Sequence, residues 1–201
     1  MNKAYYLLFT IILFISCNNE TLPYLGVSEL DYETNKEIKH TVGTFSFINQ
    51  DEALITEEYL KNKITIVDFF FTTCPTICPD MTKNMKQIQK KWSSNDRIQF
   101  LSHTVDPKTD TPHKLKRYTN FFDIDTKNWN FVTGEKSELY DLGFHSYMVT
   151  TDEDDIAPGG FIHSSLFILV DGNLHIRGIY DGLKETELKQ LNTDLKLLIN
   201  E

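Results

Sequence analysis

Cys74 and Cys78 stand in the stretch Cys74-Pro75-Thr76-Ile77-Cys78-Pro79, behind the apolar run Ile64-Thr65-Ile66-Val67-Asp68-Phe69-Phe70-Phe71 and ahead of a segment with helical spacing. The thiolate attacks disulfides and binds soft metals, and the positive end of a helix favours it over the thiol. Two thiolates at this spacing can converge on one soft ion or oxidise to a disulfide, so the pair alone leaves metal carriage and thiol exchange both open. A purely structural disulfide is the poorer reading, because closing so short a loop stabilises little and a chain of this size can build its own core. Pro75 fixes φ directly after the first thiol, and Pro79 suits the first helical position, where its missing N–H costs nothing.

A third group would decide more, and His163 is the best candidate. It lies in Gly159-Gly160-Phe161-Ile162-His163-Ser164-Ser165, ahead of the second strong apolar run, Leu166 to Val170. In a sheet-based fold, strand starts and strand ends can face one functional edge. His103, His113, His145 and His175 read as surface or hydrogen-bonded, partly buried residues. Met81 and Met85 recur at helical spacing beside Ile88 and read as core, while nothing in the pattern assigns Met148. Asp106, at the end of a predicted strand, is expected either to orient a ligand and hold charge near a metal or to cap the turn before Pro107. The acidic stretch Asp152 to Asp155 reads as a solvated loop, close enough in sequence to His163 to serve in docking. Phe161 reads as packed.

The elements that must position these groups are legible. Ile64 to Phe71 has the composition of a central parallel strand buried on both faces. A helix over Pro79 to Trp92 follows, then a strand over Ile98 to Val105, then a helix that Thr111-Pro112 opens and that runs through Phe122. Strand, helix, strand, helix predicts parallel pairing with right-handed crossovers. Trp129 to Thr133 is a short strand and Ser137 to Gly143 a short helix closed by glycine. Phe161 to Val170 and Asn173 to Tyr180 are two strands joined by Asp171-Gly172, and Lys184 to Ile199 is an amphipathic helix with Leu188, Leu191, Leu195 and Leu198 inward. Gly43 to Asp51 predicts a short hairpin before the main sheet, and Thr56 to Leu60 a short helix. The fold class is α/β: a thioredoxin-like fold with a central mixed sheet flanked by helices and an N-terminal hairpin extension.

The chain has 201 residues, 40% hydrophobic and 24% charged, enough for one well-filled domain. Its net charge of −9 and lack of a basic cluster argue against nucleic-acid binding. Met1-Asn2-Lys3, the apolar run Ala4 to Ile15 and Ser16-Cys17 read as a lipoprotein signal peptide, since the run is well short of the roughly 20 residues of a spanning helix. The expected organisation is a signal peptide over 1–16, a flexible membrane tether over 17–40 with lipid on Cys17, and a domain over 41–201. That places the domain outside the cytoplasm, lipid-anchored and facing the periplasm or cell exterior.

Phe71-Thr72-Thr73-Cys74-Pro75-Thr76-Ile77-Cys78-Pro79-Asp80-Met81, then Thr104-Val105-Asp106-Pro107 with Asp110-Thr111-Pro112, then His163-Ser164 and Asp171-Gly172, resembles the Sco/SenC family of copper chaperones. The resemblance runs over roughly residues 40 to 200. It implies a domain that binds one copper ion, Cu(I) or Cu(II), through Cys74, Cys78 and His163. It also implies a role in assembling the dinuclear copper site of cytochrome c oxidase, with the oxidase copper-site subunit and other copper carriers as partners. On this reading the protein is a metallochaperone rather than an enzyme. The chemistry agrees: thiolates suit Cu(I), imidazole suits both oxidation states, and three ligands leave copper open to transfer, whereas a structural zinc site would want a fourth. The main rival is a thiol-disulfide oxidoreductase with Cys74 and Cys78 as its redox pair, reducing the cysteines of the oxidase copper site. Such enzymes resemble a CxxC pattern with a cis-proline near the position His163 holds here, and this chain has CxxxC, with Pro158 as the nearest upstream proline. A copper or redox sensor is the third reading, since metal binding requires the reduced thiolates.

Overall fold

The computed structural model describes residues 21–150, 152–153, 159–162 and 164–201. In chain order these form β1 (Glu29–Asp31), β2 (Lys36–Ile38), β3 (Ser46–Asn49), β4 (Leu54–Thr56), β5 (Ile64–Phe70), α1 (Cys78–Lys91), β6 (Ile98–Thr104), α2 (Pro112–Phe121) and β7 (Trp129–Thr133). They continue with α3 (Lys136–Asp141), β8 (Asp152–Glu153), β9 (Phe161–Ile162), β10 (Leu166–Val170), β11 (Ile176–Asp181) and α4 (Glu185–Asn200). Among the described residues the main sheet has the order β11-β10-β5-β6-β7-β3-β4. β5, β6 and β7 run parallel and the other pairs are antiparallel, giving a mixed sheet of thioredoxin-like type.

Every position of β5 and of β6 is buried, so both faces of the sheet are covered there; β5 meets this with a mostly apolar run, whereas β6 buries the polar Gln99, Ser102, His103 and Thr104 beside Ile98, Phe100 and Leu101. Adjacent strand residues point to opposite faces, and Phe69 and Phe70 show what covers each. Phe70 packs on Tyr118 of α2, whose hydroxyl lies 2.7 Å from that of Thr82 on α1. Trp92, at the end of α1, donates to Asn192 of α4 at 2.9 Å, so α1, α2 and α4 share that face. Phe69 packs instead on Tyr147, which follows the π turn Leu142–Ser146 at the end of α3. Met81, Met85 and Ile88 are buried beneath α1, as their spacing predicts, and Leu191, Leu195 and Leu198 beneath α4, with Leu188 partly buried.

Several expectations shift. The Gly43 to Asp51 hairpin does not stand apart: β3 pairs with β7 through Ile48↔Thr133, and buried Phe47 contributes about 1.5–3 kcal/mol to holding it there. Gly143 does not close α3 but lies buried within the π turn, which carries the helix on to Ser146. The single strand expected over Phe161 to Val170 is two: β9 pairs with β8 in a separate ribbon, and β10 joins the main sheet. Asp152 and Glu153, expected in a solvated loop, form the other half of that ribbon. The turn after β10 is longer than the two residues expected, because the Asp171 carboxylate accepts from the N–H groups of both Asn173 and His175.

The largest difference concerns the tether. From residue 22 onward, the stretch expected to be flexible lies against the domain. Arg177, on β11, is 3% exposed, and a buried guanidinium needs an acceptor for each donor. It finds Asp171 at 2.9 Å, Glu201 at 2.8 Å, and the carbonyls of Leu22 and Pro23 at 2.7 and 3.1 Å. Leu25 then bridges to Ile176, and β1 and β2 form a hairpin.

Candidate functional site

β5 delivers the chain to the site, and Cys74 closes the first turn beyond it through an N–H bond to Phe71 O at 3.3 Å. Cys78 is the first residue of α1 and Pro79 the second, one position later than predicted but still inside the first turn, where no N–H is missed. The sulfurs are present as thiols, Cys74 7% and Cys78 1% exposed. The Cys74 Sγ lies 3.6 Å from the Thr76 hydroxyl.

The Cys78 thiol is pushed far up from its ordinary pKa, first by its hydrogen bond with Cys74 and then by burial, with the charges of Cys74 and Asp68 adding to both; only a backbone bond at Phe71 opposes them. The helix start was expected to favour the thiolate. Here a neighbouring sulfur wins, because two groups sharing a buried site cannot both hold negative charge. The pair therefore holds its second proton tightly until something else neutralises that charge. A soft cation bound by both sulfurs would do so, and so would an S–S bond.

A carboxylate that sequence reasoning did not single out holds this loop in place. Asp110, fully buried between β6 and α2, accepts from Thr72 N at 3.0 Å, from the Thr104 hydroxyl at 2.6 Å and from the Thr72 hydroxyl. Burial raises its pKa while these three bonds pull the other way. Thr72 begins the cysteine loop and Thr104 ends β6, so one side chain ties the loop to the neighbouring strand. Asp106 builds the turn that presents it: its carboxylate accepts from Thr109 N at 3.2 Å and its carbonyl from Asp110 N at 2.8 Å. Polar threonines at the ends of two buried strands were the available signal for Asp110. Asp68, buried in β5 one strand turn before the loop, was visible as the single charge in its run.

A second segment covers the loop from the other side. The Phe161 ring lies 5.1 Å from that of Phe71. At Gly159 a Cβ would sit 2.8 Å from the Phe71 ring and 3.1 Å from Pro75, and φ is +83°, so both space and backbone call for glycine. Beyond this segment, Gly182 N donates to Ser165 O at 2.7 Å and the Ser165 hydroxyl to Asp181 at 2.9 Å. His163 lies outside the described residues, as do Cys17, Asp154 and Asp155. Among the described residues, no three His, Cys, Asp or Glu side chains come together as a metal-binding group.

The other histidines divide. His113 and His145 are exposed, and His175 bonds His40 O through Nδ1 at 2.8 Å, all as expected. His103 is not: it is fully buried, and neither ring nitrogen has a hydrogen-bond partner among the described residues. It sits among Phe45, Phe47, Phe69 and Tyr147, with ring centroids 5.1–5.7 Å away, on the face of the sheet opposite Asp68. Burial pushes its pKa down to about 3, so it is neutral.

The SCO1/SenC family model matches residues 33–199. A SCO1/SenC family lipoprotein from Bacillus anthracis is similar in structure, with a TM-score of 0.74 and 34% identity over 80% of this chain and 95% of that one. BsSco, described as a member of the Sco family of cytochrome c oxidase assembly proteins with a disulfide switch, gives 0.71 and 32% over 79% and 93%. Arabidopsis thaliana ScoI with copper bound gives 0.67 and 25% over 80% and 99%.

Proposed function

The chain belongs to the SCO1/SenC family, and from that premise we propose that it carries one copper ion on Cys74, Cys78 and His163 and helps to assemble the dinuclear copper site of cytochrome c oxidase. The observation that carries this reading is the buried thiol pair, in which Cys78 holds its proton against a sulfur neighbour and Asp68. Binding Cu(I) replaces protons by a soft monovalent cation and relieves that conflict. The imidazole of His163 supplies a third donor from the segment whose flank, Phe161, rests on Phe71. A site of only three ligands leaves copper accessible to an incoming pair of client thiolates, and transfer consists of exchanging sulfur for sulfur.

The same pair supports a thiol-exchange cycle, favoured by the hydrogen bond between the two sulfurs. Oxidation to a disulfide would expel the metal and leave the protein waiting for electrons, so redox state and loading are coupled. We place the protein outside the cytoplasm, lipid-anchored through Cys17. The client is the copper-site subunit of the oxidase.

Anaerobic titration of the reduced domain with Cu(I), read by native mass and X-ray absorption, tests the proposal. One copper with two sulfur ligands and one nitrogen ligand is expected in the parent, and the nitrogen should vanish with weaker retention in His163→Ala. Absence of sulfur ligation would refute copper carriage and leave thiol exchange as the activity.

A further inference from the structure

The two ends of the central sheet carry different surfaces. Val170, at the end of β10, pairs with both Thr65 and Ile176, so Asp171, Arg177 and Glu201 gather where β5 begins, while Cys74 and Cys78 follow the end where it finishes. At about 3.3 Å per residue, the seven residues of β5 separate these ends by roughly 20 Å.

The chain enters at the end away from the cysteines, and it is pinned there. Leu22 N donates to Glu201 at 3.0 Å and its carbonyl accepts from Arg177 at 2.7 Å. Residues 18–21 are all that separates Cys17 from this fixed point, a reach of at most about 18 Å even when fully extended. Lipid on Cys17 would therefore hold this end within that distance of the bilayer.

The surface there suits such a position. The β1–β2 hairpin rises from a base fixed by Tyr24, whose ring meets the Arg177 guanidinium at 4.3 Å and the Lys39 ammonium at 3.2 Å. The hairpin leaves Val27 80%, Tyr32 90%, Ile38 54% and Leu30 48% exposed. Beside the starts of β6 and β7 lies a groove with Lys61, Lys63, Lys86, Lys90 and Lys127 along it. Thus five of the chain's 20 basic residues stand in one groove of a protein with net charge −9, against four acidic residues there. Among the described residues Lys90 and Lys127 have no acidic partner.

We propose that this end is a membrane-docking surface for a bilayer containing anionic phospholipid: the hairpin enters the interfacial layer, the lysine groove faces headgroup phosphates, and the cysteine edge points away from the membrane. Tyrosine and aliphatic side chains suit the headgroup boundary, and lysines near an anionic surface add attraction. The proposal rests on the anchoring of Cys17 given above.

The experiment uses the full-length lipidated chain on phosphatidylcholine/phosphatidylglycerol vesicles, with and without phospholipid brominated near the glycerol. Tyr32→Trp and Thr73→Trp report on the hairpin and on the cysteine loop, each read as the difference from the parent. The Tyr32→Trp signal should lose at least half its added intensity and the Thr73→Trp signal none. Lys90→Glu with Lys127→Glu should reduce the loss at position 32 on phosphatidylglycerol-containing vesicles and leave it unchanged on phosphatidylcholine alone. Equal quenching at both positions, or none at position 32 in protein that co-sediments with vesicles, overturns the docking surface. Unchanged quenching in the double charge reversal removes the groove from it. Protein that fails to co-sediment overturns the anchoring, and the docking surface with it.

Discussion

His103 makes stability depend on pH in a way that can be worked out from its surroundings. Four aromatic rings enclose it, and its pKa falls from 6.5 to about 3. Below 6.5 the unfolded chain takes up a proton that the folded chain refuses, so protonation draws the equilibrium toward unfolding. Stability is complete above that pH and declines as pH drops toward 3. Each unit is about 1.4 kcal/mol, so the full loss is about 5 kcal/mol and the loss at pH 4 about 3 kcal/mol. Domains of this size are stable by only about 5–15 kcal/mol, which makes this a large fraction. Replacing the ring by His103→Phe, or by the smaller His103→Leu, removes both the titration and two buried nitrogens that find no hydrogen-bond partner among the described residues. At pH 7 the better-fitting variant should match or exceed the parent, by up to about 1–3 kcal/mol. Between pH 7 and pH 4 its advantage should widen by about 3 kcal/mol, because every other titrating group is common to both chains. Urea unfolding followed by circular dichroism at pH 7, 5.5 and 4 measures this. Parallel pH dependence in parent and variants would refute the reasoning.

Asp110→Ala should destabilise the domain by about 2–4 kcal/mol, since it strands the Thr72 and Thr104 donors in a buried site. Faster amide exchange at Thr72 than at the β5 core would show that the cysteine loop loosens first, and uniform loss of protection would contradict the clamp. Cys74→Ser removes the sulfur that most raises the Cys78 pKa, so Cys78 should alkylate faster at pH 8 than in the reduced parent. A slower or equal rate, followed by mass spectrometry of the Cys78 peptide, would mean that burial governs that thiol.

What could be read from the sequence was whatever depends on neighbours along the chain. Ile64 to Phe70 announces a doubly covered parallel strand because five of its seven residues are apolar, the strand–helix alternation sets Ile98 to Thr104 beside it, and Met81, Met85 and Ile88 mark the inner side of α1 by spacing alone. The cysteine pair announced itself through its prolines. What escaped depends on partners distant in sequence. Residues 22–25 have little pattern of their own and are ordered by Arg177, more than 150 positions away. Asp110 stood in the sequence only as the residue before the Thr111-Pro112 helix start, and only the fold brings Thr72 to it. His103 carried no sign in its own strand that Phe45, Phe47 and Tyr147 would close around it. The break between β9 and β10 was hidden because apolar residues stand on both sides of it.

The Arg177 cluster also bears on the order in which the protein acquires its structure. Leu22 and Glu201, which meet there, are separated by 179 residues, and a contact of that separation carries a large loop-closure entropy that local pairs such as β10 and β11 avoid. The core strands and helices can assemble while the N-terminal segment still hangs loose, and the segment can dock only after the C-terminal end of α4 has been made. Residues 22–25 would thus stay unclaimed while the core assembles and be drawn in as the last act of folding. The same contacts should be the first to open in the native state, at a cost well below global unfolding.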